Sequence, residues 1–176
     1  LLDFRLNCLN EYVHKFIIVE SCYTHSGEKR KLLFDINKFK FFKNKITYLI
    51  SDKLPDNLLK RNNNDTFDQT NSKIILNTIS REVLQRNKIS EGIKEAEPED
   101  IIIISDLDEI PNLENFNFRE VKSKLILFTQ KFYHYRFNLK LDNSNWYGSK
   151  ACKKKHLLSP QWLRNIKNKK YPFWRL

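Results

Sequence analysis

Four consecutive isoleucines, Ile101 to Ile104, are followed at once by a run of acidic residues. A run that is β-branched throughout, with no polar residue at alternate positions, predicts a strand buried on both faces. Strands of that kind lie in sheets that carry helices on both sides. The sequence therefore predicts an α/β fold, a mixed and mostly parallel sheet flanked by helices.

Apolar residues at helical or strand spacing define the elements around this run. No internal repeat and no convincing domain boundary divides the chain, so we predict one domain over residues 1–176. The chain contains no Met and opens within a pattern, so we expect an internal fragment trimmed at both ends. The predicted helices are 1–14 and 72–92, and the predicted strands are 16–19, 46–50, 101–104, 124–129 and 132–139.

The acidic residues after the isoleucines are the main candidates for chemistry. Ligands of open α/β sheets bind beyond the carboxyl ends of the strands, where these acids stand. Three carboxylates within four residues repel one another unless a cation is near, and Mg²⁺ or Mn²⁺ prefers oxygen ligands. On an extended segment Asp106 and Asp108 point to one side and Leu107 faces the core. We therefore predict Asp106 and Asp108 as metal ligands, with an acidic helix cap as the alternative.

Two enzyme classes place a D-x-D motif after a strand. Haloacid-dehalogenase-like phosphatases use the first aspartate as nucleophile, near the start of the domain and usually before Gly-Thr. Nucleotide-sugar glycosyltransferases of the GT-A type carry the motif in the middle of the domain. Here about a hundred residues precede it and Glu109-Ile110-Pro111 follows, so its position favours the transferase.

The positive charge is concentrated near the C-terminus. Residues 121–176 hold 14 Lys and Arg and one acid, whereas the whole chain has a net charge of +11. Such asymmetry indicates an anionic ligand or a solvated basic face. A basic, aromatic-rich region that includes Lys153 to Lys155 also keeps open a module that binds single-stranded nucleic acid.

Several separated motifs resemble glycosyltransferase family 17, the β-1,4-mannosyl-glycoprotein β-1,4-N-acetylglucosaminyltransferase family. The resemblance spans nearly the whole chain in order, which makes it far more specific than the D-x-D alone. The similar segments are Leu2 to Leu6, Phe16 to Ser21, Thr24 to Gly27, Arg81-Glu82 with Gln85 to Asn87, Ile101 to Pro111, Tyr133 to Asn138, Trp146 to Gly148 and Leu163-Arg164, the last three as later strands.

The resemblance implies transfer of N-acetylglucosamine from UDP-GlcNAc to a sugar hydroxyl of a glycan acceptor, with inversion at the anomeric carbon. It implies that Asp106 and Asp108 bind Mn²⁺ (or Mg²⁺) against the donor diphosphate. An inverting transfer needs a general base, and Glu109 is the nearest carboxylate in sequence. Support of the metal site is the alternative role for Glu109.

Further residues become candidates for substrate contacts. Arg81 and Arg86 are predicted to bind the donor, with a surface pair to Glu82 as the alternative. Glu20, at a strand end, is predicted to bind donor hydroxyls or to cap the next turn. Tyr135 and Trp146 are predicted to offer aromatic faces to the acceptor sugar, although alternating aromatics also serve as sheet surface.

The resemblance also indicates what the chain lacks. The family domain normally starts with a further strand and continues into a Gly-Trp-His segment, so we expect part of the donor pocket to be missing and the fragment to be inactive. We expect no nucleic-acid partner, and membrane association only through segments outside residues 1–176. The unpaired set of Cys8, Cys22 and Cys152 favours a cytoplasmic bacterial or viral enzyme over a Golgi-lumenal eukaryotic one.

Overall fold

The computed structural model describes residues 1–133, 135, 139–141 and 145–169. The chain divides into two compact units. The middle unit is Lys15–Glu95, and the terminal unit combines Leu1–His14 with Ala96–Leu176. In the described part of the chain, no helix is both long and apolar enough to cross a membrane.

The middle unit is built on a pair of parallel strands. β1 (Phe16–Ser21) and β2 (Ile46–Ser51) lie in register, with Phe16 opposite Ile46. A 3₁₀ segment, Ile36–Lys45, leads directly into β2. Two helices follow, α2 (Phe67–Asn87) and α3 (Ile89–Gly92).

Helix α2 begins earlier than the periodicity predicts. The Thr66 side chain accepts a hydrogen bond from the Gln69 N–H, and the Gln69 side chain accepts one from the Thr66 N–H. This capping box pairs two backbone donors that a helix start otherwise leaves unsatisfied. The helix therefore starts at Phe67, five residues before the predicted start at residue 72.

The terminal unit contains α1 (Leu2–Leu9), β3 (Ile101–Ile104), β4 (Leu125–Leu127), β5 (Lys150–Lys153) and α4 (Pro160–Asn165). Its strands form an antiparallel sheet in the order β3-β5-β4. The middle strand β5 is the most buried, with Ala151 and Cys152 almost inaccessible to solvent.

The mixture of helices and strands is confirmed, but the prediction of one mostly parallel sheet is wrong for the described residues. They form a parallel pair and a separate antiparallel sheet of three strands. Strand β3 begins and ends as predicted, yet only Ile102 and Ile104 are buried, while Ile101 and Ile103 are half-buried. An apolar run indicates that a strand is buried, but it does not indicate whether the partner strand runs parallel or antiparallel.

Two predictions of later strands also change. The predicted strand 124–129 shortens to β4, and the predicted strand 132–139 falls partly on residues outside those described, with an isolated bridge between Tyr133 and Lys140. Leu163 and Arg164 lie in helix α4 rather than in a strand. The Ser159 hydroxyl caps this helix by accepting from the Trp162 N–H, and Pro160 occupies its first turn.

Candidate functional site

The acidic residues after β3 form a tight turn. The Glu109 N–H donates to the Asp106 carbonyl over 3.1 Å, and the Glu109 carboxylate accepts from the Asp106 N–H over 2.9 Å. Residues 106 to 109 are thus closed on themselves by two reciprocal bonds. We call this segment the acidic turn.

The geometry of the acidic turn corrects one prediction. Because the chain turns instead of extending beyond β3, side chains no longer alternate between two faces. Leu107, predicted to face the core, is half exposed, and Asp108 is exposed beside it. Asp106 is partly exposed, with 40% of its side chain accessible.

Arg5, on helix α1, holds the main chain of the acidic turn. Its Nη1 donates to the Asp106 carbonyl over 3.1 Å and to the Glu109 carbonyl over 2.7 Å, and its Nη2 donates to the Ser105 hydroxyl. Burial lowers the pKa of Arg5, and the carboxylates of Glu109, Asp106 and Asp108 oppose that shift. The guanidinium therefore binds both ends of the turn through their carbonyl oxygens.

Arg164, on helix α4, holds the side chains of the acidic turn. Its Nη2 lies 2.7 Å from Asp106 Oδ2 and 2.9 Å from Glu109 Oε1, and its Nη1 donates to the Gly148 carbonyl over 3.1 Å. Only 18% of the Arg164 side chain is exposed. Two arginines thus supply the positive charge that the three clustered carboxylates require.

Glu109 is the most enclosed of the three acids. In addition to its bonds with Asp106 and Arg164, it accepts from Trp146 Nε1 over 3.0 Å. Gly148 leaves the room for this contact, since a β-carbon at that position would lie 2.1 Å from Glu109 Oε1. Both carboxylate oxygens of Glu109 therefore have donors, and its predicted catalytic role stays a prediction.

Lys150 adds a buried positive charge near the acidic turn. Its ammonium donates to the Arg164 carbonyl, and 4% of the residue is exposed. Burial, followed by the positive charges of Arg164 and Lys167, lowers the pKa of Lys150 to about 8. The ammonium is therefore held protonated near neutral pH at a cost to stability.

We expect this cost to appear as a pH dependence of stability. The folded pKa of Lys150, about 8, lies below its ordinary value of 10.5, so between these values the unfolded chain retains a proton that the folded chain releases. The free energy of unfolding contributed by Lys150 therefore rises with pH across that window. The free energies of unfolding of the parent and of Lys150→Met can be measured in urea at pH 7 and pH 9. Relative to the variant, the parent should gain about 1 kcal/mol between the two pH values.

The exposed Lys122 supplies the control for this measurement. Lys122→Met makes the same chemical change at the surface, and its difference from the parent is the baseline against which the shift for Lys150→Met is read. A difference for Lys150→Met that shifts no more than this baseline would show that the ammonium titrates alike in the folded and unfolded chains.

Glu20, at the end of β1, is surrounded by donors of the middle unit. It accepts from Tyr48 Oη over 2.9 Å, from the Leu33 and Phe34 N–H groups, and from Arg30 Nη2. Burial raises the pKa of Glu20, but these four hydrogen bonds together outweigh it and lower the pKa. Burial, followed by the hydrogen bond to Glu20, raises the pKa of Tyr48 to about 12. These bonds fix the segment after Arg30, which agrees with the capping alternative, and the predicted donor contact stays a prediction.

Arg81 braces a loop of the middle unit. Its Nη1 donates to the His25 carbonyl over 2.8 Å, and its guanidinium lies so close to Gly27 that a β-carbon there would be 2.6 Å from Nη2. Gly27 has a φ of +95°, a conformation that glycine adopts without strain. The carboxylate of Glu82 lies 3.3 Å from His25 Nδ1. Arg81 contacts the backbone of the loop, whereas the alternative predicted a surface pair with Glu82. The donor contacts predicted for Arg81 and Arg86 stay predictions.

The two predicted acceptor aromatics differ in their surroundings. Trp146 is 40% exposed, its ring packs against Phe132 at 5.3 Å between centroids, and its N–H is bound to Glu109. Tyr135 is 99% exposed and has a φ of +57°. Trp146 thus joins a partly open aromatic face to the acidic turn, and the acceptor role of both residues stays a prediction.

The lysine run after β5 is bound within the terminal unit. Lys153 and Lys155 both form ion pairs with Glu99, and Lys154 donates to the Ala96 carbonyl. The two ammonium groups lower the pKa of Glu99 to about 2, through hydrogen bonds first and charge second. The run anchors the segment before β3, and this observation gives no support to the nucleic-acid alternative.

The oxygens of the acidic turn suit a hard divalent cation. Asp108 is exposed and Asp106 is partly exposed, and a cation of this kind commonly takes one or two carboxylates and completes its shell with waters and substrate phosphates. Within the described ranges, no three His, Cys, Asp or Glu side chains converge as a complete protein cage. The residues present therefore fit Mn²⁺ or Mg²⁺ that arrives with phosphate ligands.

Sequence reasoning missed the two arginines of this site. Arg5 and Arg164 are 101 and 58 residues away from Asp106 along the chain, on helices at opposite ends of it. The sequence did indicate that cationic partners exist, because three clustered acids require positive charge nearby. Both arginines lie in segments that resemble the family, Leu2 to Leu6 and Leu163-Arg164, but the resemblance gave neither of them a role at the acidic residues.

Comparison with known proteins identifies the family of the chain. No curated protein and no solved structure gives a significant match. The family model described as "Glycosyltransferase family 17" matches residues 1–160, which includes β3, the acidic turn, Trp146 and Gly148. The chain therefore belongs to glycosyltransferase family 17, and its class of reaction is glycosyl transfer.

Proposed function

We propose that this glycosyltransferase moves N-acetylglucosamine from UDP-GlcNAc to a sugar hydroxyl of a glycan acceptor, with inversion and with a divalent cation, on a GT-A-like fold. The observation that carries the proposal is the acidic turn directly after β3. It presents Asp108 and one edge of Asp106 to solvent, while Arg5 and Arg164 hold its main chain and side chains in place.

Asp106 and Asp108 would hold the cation in this proposal. When bound, Mn²⁺ or Mg²⁺ screens the donor diphosphate and stabilises the charge that develops on the departing UDP. The contribution of the chain is to keep the ligands fixed before the donor arrives, because preorganised charges need no rearrangement at the moment of reaction. The bonds from Arg5 to the two turn carbonyls serve that purpose.

Glu109 takes a positioning role in this proposal. A general base must reach the acceptor hydroxyl, whereas both oxygens of Glu109 accept bonds from donors inside the site. Glu109 instead links Trp146 to the acidic turn, so the partly exposed indole is held close to the reacting groups. An aromatic face at that position suits the apolar side of an acceptor sugar.

Calorimetric titration of UDP-GlcNAc, with and without Mn²⁺, tests the proposal. The parent chain should bind the donor only when Mn²⁺ is present, and Asp108→Asn should weaken that binding at least tenfold, because the neutral amide is a much poorer cation ligand. UDP-glucose should bind more weakly than UDP-GlcNAc if the acetamido group is recognised.

The exposed Asp56 of the middle unit offers a matched control. Asp56→Asn removes a surface carboxylate by the same chemical change and should leave donor binding intact. Equal donor binding with and without Mn²⁺ would contradict the proposed donor site. Absence of binding, both by this chain and by one extended at each end, would contradict it too.

A further inference from the structure

The net charge of the middle unit is concentrated in one stretch, residues 29–45. The unit Lys15–Glu95 contains 16 Lys and Arg and 10 Asp and Glu, a net charge of +6. Residues 29–45 contain seven of these basic residues and one acid, Asp35, which is also a net charge of +6. The other nine basic and nine acidic residues of the unit therefore cancel. We call residues 29–45 the basic segment.

Two carboxylates form hydrogen bonds with the basic segment. The Asp35 carboxylate accepts from the Asn37 N–H at the start of the 3₁₀ segment, and Glu20 accepts from Arg30. Lys45 is half-buried and has a contact of its own. In the part of the chain that the structure describes, no ion pair holds five exposed lysines of the basic segment, namely Lys29, Lys31, Lys38, Lys40 and Lys43.

Two large apolar side chains of the basic segment face solvent. Leu33 is 76% exposed and Phe41 is 83% exposed. Phe42, the next residue, is buried, and its ring packs edge to face against that of Phe41 with centroids 5.2 Å apart. Adjacent side chains of the 3₁₀ segment thus divide between core and solvent, and the burial of Phe42 keeps Phe41 outside.

The contacts of the basic segment bring its two apolar side chains into one region of the surface. The Leu33 and Phe34 N–H groups donate to the Glu20 carboxylate over 2.8 and 3.0 Å, which fixes the backbone there. The Phe34 ring stacks on that of Phe39 at 5.6 Å between centroids, and Phe34 lines a groove together with Lys43. The first and second halves of the basic segment therefore adjoin.

This combination of side chains suits an anionic membrane better than other partners. Lysines attract acidic headgroups, while exposed leucine and phenylalanine enter the boundary between headgroups and acyl chains. A nucleic acid needs exposed aromatic faces for its bases, whereas the Phe34 and Phe39 rings are stacked on each other and Leu33 has no ring. A second copy of the chain would bring the same positive charge, which repels.

We propose that the basic segment is a membrane-binding surface, which inserts Leu33 and Phe41 into the interface of an anionic bilayer while its lysines bind acidic headgroups. Such a contact requires no helix that crosses the bilayer. It lies within residues 1–176, whereas the sequence led us to expect membrane contact only through segments outside them. The inference is independent of the proposed donor site, so either can fail without the other.

Sedimentation with lipid vesicles tests the role of the lysines. Vesicles of phosphatidylcholine with about one third phosphatidylserine should bind the parent about tenfold more tightly than vesicles of phosphatidylcholine alone. Each lysine near such a surface strengthens binding about fivefold, so the double variant Lys38→Gln, Lys40→Gln should weaken it about twentyfold. Lys53→Gln with Lys60→Gln makes the same change at exposed lysines of the same unit and should bind close to the parent.

Variants of Phe41 test the insertion. Phe41→Ala should weaken binding to the anionic vesicles about fivefold, because an apolar side chain is lost from the interface. In Phe41→Trp, tryptophan emission should move to shorter wavelength when these vesicles are added. Phe67, an exposed phenylalanine of helix α2, is the control, and its alanine and tryptophan variants should show neither effect.

Four results would overturn the proposal. The first is a parent that binds both kinds of vesicle equally, or neither. The second is a folded double lysine variant that binds as tightly as the parent, and the third is Phe41→Ala with unchanged binding. The fourth is a parent that ignores vesicles and binds a single-stranded oligonucleotide, which would make nucleic acid the partner of the basic segment.

Discussion

Alanine at Gly148 is expected to destabilise the chain by more than about 3 kcal/mol, the range of severe core substitutions. A β-carbon there would lie 2.1 Å from Glu109 Oε1 and 2.4 Å from Trp146 Nε1. Neither atom can withdraw without breaking the 3.0 Å bond between the two side chains, which leaves a buried carboxylate short of a donor. Urea unfolding followed by circular dichroism measures the loss.

Gly92 provides the comparison for Gly148. A β-carbon at Gly92 would meet the Ile17 side chain at 2.6 Å, an aliphatic group that can change rotamer. Gly92 also ends helix α3, where alanine is the better helix former. Gly92→Ala should therefore cost much less than Gly148→Ala, and equal losses would show that the Glu109–Trp146 contact imposes no special constraint.

Replacement of Glu109 by glutamine is expected to lower stability by about 3–5 kcal/mol, the cost of removing one partner of a buried ion pair. The amide is neutral, so Arg164 keeps only Asp106 as a charged partner. The NH₂ group of the glutamine would also face a donor. Both oxygens of the carboxylate it replaces accept hydrogen bonds, from the Asp106 N–H, Trp146 Nε1 and Arg164 Nη2. Equilibrium unfolding in urea provides the measurement.

The same variant separates a positioning role from catalysis. A positioning Glu109 predicts that Glu109→Gln loses stability and Mn²⁺-dependent donor binding together. A general base predicts near-normal donor binding by the folded variant, with turnover lost. Glu114→Gln, at an exposed glutamate of the same unit, is the matched control and should change neither quantity. Normal unfolding and normal donor binding of Glu109→Gln would refute the positioning role.

Local pattern sufficed to predict several elements of the fold. β1, β2 and β3 lie where apolar β-branched runs predict them, because such runs favour strands in nearly any context. The start of α2 was also present in the sequence, as Thr66 and Gln69 at capping-box spacing, although periodicity alone placed it later. The helical spacing of apolar residues correctly predicted a helix here, although none of its residues is buried and Ile75 is 59% exposed.

Pairing over long distances could not be predicted in the same way. β3 finds its partner in β5, and Ile104 lies opposite Lys150, a residue whose charge made it a poor candidate for a buried strand. The acidic turn was located from sequence, but its shape was not, because the reciprocal bonds between Asp106 and Glu109 outweigh the tendency of the strand to continue. Long-range partners of a charged cluster leave no mark on its immediate neighbours.

The position of Arg164 matters for anyone who shortens this protein. The family match ends at residue 160, four residues before that arginine. A gene trimmed to the matched region would encode every acid of the turn and omit the guanidinium that pairs with two of them. The shortened product would leave Asp106 and Glu109 without the charge of Arg164, and it would also lack the buried side chain of Leu163. We expect it to be prone to aggregate during expression. The residues that match the family model therefore stop short of a side chain that the acidic turn contacts.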